Sequence, residues 1–134
     1  MKPGLDPGVA HETQVVVTAE MCPHFDGAML HPVLATWTLV HQFEVAGRKL
    51  LEPHLEPHEE GIGAHISVDH ESPAWVGSLV RFRAEVESCE AHRLTTRMTA
   101  FVGERQIASG RMVQAILPRT KLAAIFEKHR PAGG

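Results

Sequence analysis

The sequence predicts an α+β domain in which one antiparallel sheet wraps a single long helix, and three observations lead there. A proline-free stretch from Thr36 to Leu51 carries a helical period. The segments beyond Gly63 switch to a period of two, and they follow one another across short gaps. With 134 residues, 43% of them hydrophobic and 22% charged, the chain fits one domain over 1–134, with residues 1–11 and 130–134 expected to be flexible.

The β-branched run between Glu12 and Glu20 opens the domain as a strand, and Met21 to His31, broken by Pro23 and Gly27, reads as a loop. From Thr36 to Leu51, residues plotted at about 100° each put Leu39, Phe43, Ala46 and Leu50 on one stripe and Trp37, Val40, Gly47 and Leu51 on the next. Such a helix should be heavily buried. Pro53, Pro57 and Gly61 bracket an acidic turn from His54 to Glu60. Then Ile66, Val68 and His70 alternate with His65, Ser67, Asp69 and Glu71, as Phe82, Ala84 and Val86 do with Arg81, Arg83, Glu85 and Glu87. Leu94 to Val102 and Gln106 to Leu117 continue the meander through a hairpin near Gly103-Glu104, and Pro118 opens a short helix with Leu122, Ile125 and Phe126 on one face. One helix covers only one sheet face, and unpaired edge strands need covering, so dimerisation by joining sheets is expected.

The formal charge of −3 argues against an electrostatic grip on nucleic acid or an anionic membrane, although residues 61–134 hold 10 basic and 7 acidic residues and could meet a phosphorylated small ligand. No apolar run has the length of a signal peptide or a membrane span, which makes a cytoplasmic protein the expectation. Cys22 and Cys89 have neither a CxxC spacing nor a secretory context. His54 and His58 are spaced as metal ligands, but the prolines around Leu55-Glu56 deny them one helical face, so no metal and no cofactor is expected. GxSxG, Walker A and HExxH patterns are absent, and Arg81, Arg83, Arg93 and Arg97 alternate without stacking aromatics, as on a solvated sheet face.

Two residues break the pattern. Glu44 falls between Val40, Gly47 and Leu51 on the apolar side of the helix, where a carboxylate is either a rim residue whose head reaches solvent or pairs with Arg48, or a catalytic group. His70 shares the inward face of Ile66 and Val68, either as a satisfied core histidine or as the acid/base partner of a helix-borne carboxylate. Thr36, about two turns before Glu44, either caps the helix or projects into the same cleft. At Gly61-Ile62-Gly63 the backbone can approach a ligand closely and a free N–H can face an oxyanion.

His31-Pro32-Val33-Leu34-Ala35-Thr36, the helix segment Glu44 to Lys49, the turn Leu55 to Gly63 and the strand Ser67-Val68-Asp69-His70 resemble the acyl-CoA thioesterases of the fluoroacetyl-CoA thioesterase-like group, over about residues 12–127. The resemblance implies the hot dog fold, in which a curved antiparallel sheet wraps a long central helix. It further implies a homodimer or tetramer with active sites at the protomer interface. Thr36, Glu44 and His70 match the group's catalytic residues, and Gly63 matches the glycine beside the thioester. Gln114 stands at a substrate-binding position where the group has an arginine, and Gly27 to Leu30 lacks the group's lid aromatics. The implied function is hydrolysis of a small acyl-CoA or related thioester. A non-catalytic acyl-CoA-binding module and an enoyl-CoA hydratase are the alternatives.

Overall fold

The computed structural model describes residues 1–133. Five long strands form one antiparallel sheet in the order β1-β5-β6-β7-β4: β1 (Ala10–Val16), β4 (Glu59–His70), β5 (Leu79–Glu90), β6 (Arg93–Val102) and β7 (Arg105–Pro118). Its concave side holds α1 (Thr36–Leu51), and α2 (Arg119–Lys128) follows β7. A two-residue-per-strand hairpin, β2 (His24–Phe25) and β3 (Ala28–Met29), precedes α1. This is the hot dog arrangement, and no helix among the described residues is long and apolar enough to cross a membrane.

Helix α1 starts and stops where its sequence pattern does. Ala35 occupies the N-cap position without a side-chain cap, and a short 3-10 turn, Glu52–His54 with Pro53 in it, ends the α-helical register. Leu39, Phe43 and Ala46 are fully enclosed and Leu50 nearly so. They pack into the sheet's concave face, with Phe43 meeting Phe82 edge-on at a ring separation of 6.0 Å. The second stripe behaves differently. Gly47 and Leu51 are buried, Val40 is half-buried, and Trp37 is 50% exposed, so burial fades toward the N-terminal half of that stripe.

The loop expected from Met21 to His31 contains the β2–β3 hairpin. Asp26 (φ 52°) and Gly27 (φ 80°) make its turn, the Asp-Gly pair that a two-residue hairpin favours, and Phe25 stands edge-on to Trp37 at 5.5 Å. Residues 1–9, expected to be loose, are tied down: the Lys2 N–H donates to His54 O at 2.8 Å, the Gly8 N–H to Val86 O at 2.9 Å, and Leu5 is buried. Of the expected loose tail 130–134, Gly134 lies outside the described residues.

The convex face carries the solvated charge ladder expected of it: Arg81 meets Glu12 at 3.3 Å, Arg83 meets Glu85 at 3.1 Å, and Arg111 meets Glu87 at 2.9 Å. Exposed pairs of this kind add about 0–1 kcal/mol each. Edge strand β4 is longer than the alternating segment suggested, beginning at Glu59 with residues that read as a turn. It approaches its neighbours closely at two glycines, against a side chain at one and against backbone at the other. A Cβ on Gly61 would sit 2.5 Å from Leu51 Cδ2, and one on Gly110 of β7 would overlap the Ser67 carbonyl. Where β4 passes the end of α1, the Glu60 carboxylate meets Arg48 at 2.5 Å and Arg119 at 3.1 Å. The Arg48 hydrogen bond, outweighing desolvation, holds the Glu60 carboxyl below its ordinary range.

Gly110→Ala should therefore lower stability by about 3 kcal/mol in chemical denaturation, because the obstructing atom is backbone and cannot swing aside. Glu60 contributes stability that is present above its ordinary pKa of 4.5 and is lost as pH falls through the depressed native value. Glu60→Gln should accordingly be less stable than the parent at neutral pH, and the gap should narrow when melting is followed into acid.

Candidate active site

The first turn of α1 and the last residue of β4 meet. Because Ala35 takes the N-cap position, Thr36 is the first helical residue and its hydroxyl is not used on the helix's own N–H groups. Instead, Thr36 Oγ1 lies 2.9 Å from His70 Nδ1. The strand alternation that put His70 on the face of Ile66 and Val68 is present: those three are half-buried, while Ser67 and Asp69 are exposed. Among the described residues His70 Nε2 is closed off from solvent and has no partner, so the imidazole's one hydrogen bond there is the one to the threonine. The ring lines a small depression of about 230 Å³ with Val33, Glu71, Ser72 and Pro73. Glu71 is engaged separately, accepting from Ser109 Oγ at 2.7 Å.

Glu44 is exposed, at the solvent-reaching rim of the helix's apolar side. Thr36, Val40 and Glu44 form one i, i+4, i+8 ridge along α1, and the ridge is open where the sheet stops short of covering it. Glu44 borders a cleft of about 450 Å³ with Gly63, Ala64, His65, Ile66 and Met112. In a single protomer, therefore, Thr36 pairs with His70 and Glu44 sits beside Gly63, and the two groups lie about 12 Å apart along the helix axis. Helical side chains lean toward the N-terminus, which tilts the Glu44 carboxylate back along the ridge toward Thr36.

Gly63 differs from the chain's other strand glycines. A Cβ there would meet nothing within 4 Å, so packing inside the protomer does not demand glycine, and the missing side chain leaves room beside Glu44. The pairing of β4 with β7 slips at this point: Gly63 faces Gln114 and His65 faces Val113, leaving Ala64 as the extra residue of a β-bulge. A bulge residue has no ladder partner, so the backbone around Ala64 can serve something other than the sheet. The glycines of Gly61-Ile62-Gly63 mark the neighbourhood, but nothing in the sequence signals the bulge itself.

Gln114 is placed by a different force. It is 3% exposed, and its Nε2 donates to the Gly47 carbonyl at 3.0 Å, tying the middle of β7 to α1. Gly47 leaves space for that contact and for Met112, whose sulfur would lie 2.7 Å from an added Cβ. Among the described residues no group of three or more His, Cys, Asp or Glu side chains is gathered as metal ligands.

Residues 17–120 match the family model described as the fluoroacetyl-CoA-specific thioesterase FlK. The fluoroacetyl-CoA thioesterase of Streptantibioticus cattleyicolor is 35% identical over 101 residues, which cover 75% of this chain and 73% of that protein. Among solved structures, a Thermus thermophilus hypothetical protein described as a thioesterase superfamily member superposes with a TM-score of 0.90 at 38% identity, covering 96% of this chain and 94% of that one. FlK itself superposes with a TM-score of 0.86 at 28% identity, covering 96% of this chain and 100% of that one. With the fold and most of the chain matched in this way, the protein belongs to the FlK family of hot dog thioesterases, enzymes that hydrolyse acyl thioesters.

Proposed function

We propose that the protein cleaves a small acyl-CoA to free acid and thiol, with Glu44, Thr36 and His70 as its reacting groups and the backbone at Gly63–Ala64 holding the oxyanion. The observation that carries this reading is the Thr36–His70 hydrogen bond at one end of an open helix ridge whose other end is Glu44. Thioester cleavage asks modestly of a protein, since a thiolate leaves readily at neutral pH and the main demands are a nucleophile and a home for the tetrahedral oxyanion. In the cleft beside Gly63, Glu44 either attacks the carbonyl carbon or takes a proton from the attacking water. The carbonyl electrons move onto oxygen, then return as the C–S bond breaks and the sulfur departs as thiolate. If Glu44 is the nucleophile, water then cleaves the acyl-Glu44 anhydride to free acid and restores the carboxylate; if it is the base, the acid forms directly and the proton held by Glu44 passes to the thiolate.

The Thr36 hydroxyl is set up by its histidine. An orphaned buried N–H is costlier than an orphaned lone pair, which favours the neutral tautomer with its proton on Nδ1, donated to Thr36 Oγ1. The Thr36 O–H then points away from the imidazole and is free to donate to the substrate. His70 thus works through Thr36, its Nδ1–H holding the hydroxyl oxygen so that the Thr36 O–H is aimed at the substrate as charge develops. Gln114, with its amide already committed to Gly47, supports the ridge from below rather than reaching for substrate.

Two further features support the reading. FlK variants are described in complex with fluoroacetate and with acetyl-CoA, so ligands of this class fit a closely similar fold. The ridge and the β4 edge of this chain open on the same side, which suits a homodimer formed edge to edge, with the second copy closing the substrate cleft. The acyl group is small in this proposal because the cleft beside Glu44 is about 450 Å³ and must also admit the thiol arm.

Thiol release measured over short, branched, aromatic and long acyl-CoAs should reveal turnover of short chains. Glu44→Gln and His70→Ala should each reduce kcat/KM on the best substrate by about 10²–10⁴-fold while melting with the parent; unchanged kcat/KM in both removes the assignment. Gly63→Ala offers a separate check. Its melting should stay within about 1 kcal/mol of the parent because the added methyl meets no protein atom, while kcat falls because the methyl occupies the space beside Glu44.

A further inference from the structure

Glu44 stands at the junction of two clefts. The first, toward β4, is the one that holds Gly63. The second, about 310 Å³, runs over the outer face of α1 and is lined by Glu44, His41, Val45, Arg48, Lys49 and Glu52. A third, about 470 Å³, continues past the end of the helix, shares Lys49 and Glu52 with the second, and adds Pro53 and His11 of β1. The first and second clefts share Glu44 and the second and third share Lys49 and Glu52, so the three succeed one another as a furrow from Gly63, over the outer face of α1, to His11 of β1. Between Glu44 and Glu52 alone it follows about 12 Å of helix. That is more length than a small acyl group fills, and it suits an extended ligand lying over the helix.

The charges along the furrow select the ligand's far end. Arg48 is spent on Glu60 at 2.5 Å and on Glu52 at 3.4 Å, which also neutralises the one carboxylate beyond Glu44. Lys49 makes no ion pair among the described residues, and it is the residue that the second and third clefts share together with Glu52. An uncommitted ammonium beside His11, on the side of the furrow away from the reacting centre, is a site for an anionic group. We infer that the phosphate-bearing tail of the CoA thioester crosses the outer face of α1 and is held by Lys49, with His11 beside it. This rests on the thioesterase reading above. It makes Lys49 a residue that recognises the carrier without touching the acyl group or the scissile bond.

A second exposed lysine, with no ion pair among the described residues, provides the control. Lys121 sits with His58 and His92 in a cleft of about 420 Å³ that shares no lining residue with the furrow. Lys49→Glu and Lys121→Glu change net charge by the same amount, so only a local subsite separates them.

The experiment compares each protein on two esters of the same acyl group, the CoA thioester and the N-acetylcysteamine thioester, which lacks the phosphates. In Lys49→Glu the ratio of kcat/KM for the CoA ester to that for the truncated ester should fall about tenfold, and in Lys121→Glu it should match the parent. A parental ratio in Lys49→Glu overturns the subsite, as does an equal fall in both variants, which would mark general electrostatics. If the parent cleaves neither ester, it is the hydrolase reading that fails, and calorimetry still tests the subsite. The parent should then bind CoA more tightly than pantetheine and Lys49→Glu should lose that difference, whereas equal CoA affinity in the two proteins overturns the proposal.

Discussion

Everything in this protein depends on how far the sheet wraps around α1. The helix buries Leu39, Phe43, Ala46 and Leu50 completely or nearly so, and the apolar surface removed from water there is the main reason the two elements stay together. The wrap is incomplete, however. The sheet ends at β4, and the ridge of Thr36, Val40 and Glu44 lies at the margin where helix and edge strand part. A carboxylate at that margin avoids the desolvation that a full wrap would impose, yet it remains beside an apolar floor. The same incompleteness that leaves Trp37 half-exposed therefore gives the enzyme a place for a charged group on an otherwise buried helix.

Much of the architecture was legible from the amino acids because local rules and tertiary packing agree. The bounds of α1 follow from a 3.6-residue period without proline, and the meander from alternation on β5, β6 and β7. Where the reading fell short, a non-local force had decided. Glu59 to Gly63 looks like turn chemistry, but pairing with β7 holds it extended. The Ala91–His92 turn between β5 and β6 has both residues at positive φ without glycine or asparagine, a conformation that strand pairing on either side imposes and composition does not announce. The β2–β3 hairpin shows the converse case: its Asp-Gly signal was present, but strands of two residues leave no periodicity to find.

The site was legible in its parts and not in its assembly. Periodicity put His70 on the inward face and left Thr36 between capping the helix and projecting into the same cleft, and the two lie within a hydrogen bond of each other. Helical angle alone could not say that Glu44 would be exposed, because periodicity gives the direction of a side chain but not the width of the arc a sheet will cover. The bulge at Ala64 depends on register with a strand some fifty residues away, and such register leaves no local trace. Gln114 illustrates the same limit, since its partner Gly47 is 67 positions distant in the chain.

That last contact has a consequence for how the helix is clocked. Burial of a greasy stripe fixes which half of a cylinder faces inward, but a dispersion-dominated surface tolerates several degrees of roll, and nothing in oil-like packing marks one azimuth as correct. A directional bond from a strand to a backbone carbonyl on the cylinder's flank works like a dowel in a shaft. Through Gln114 and Gly47, the angular setting of α1, and with it the bearing of Thr36 and Glu44, is referenced to the sheet that also carries His70.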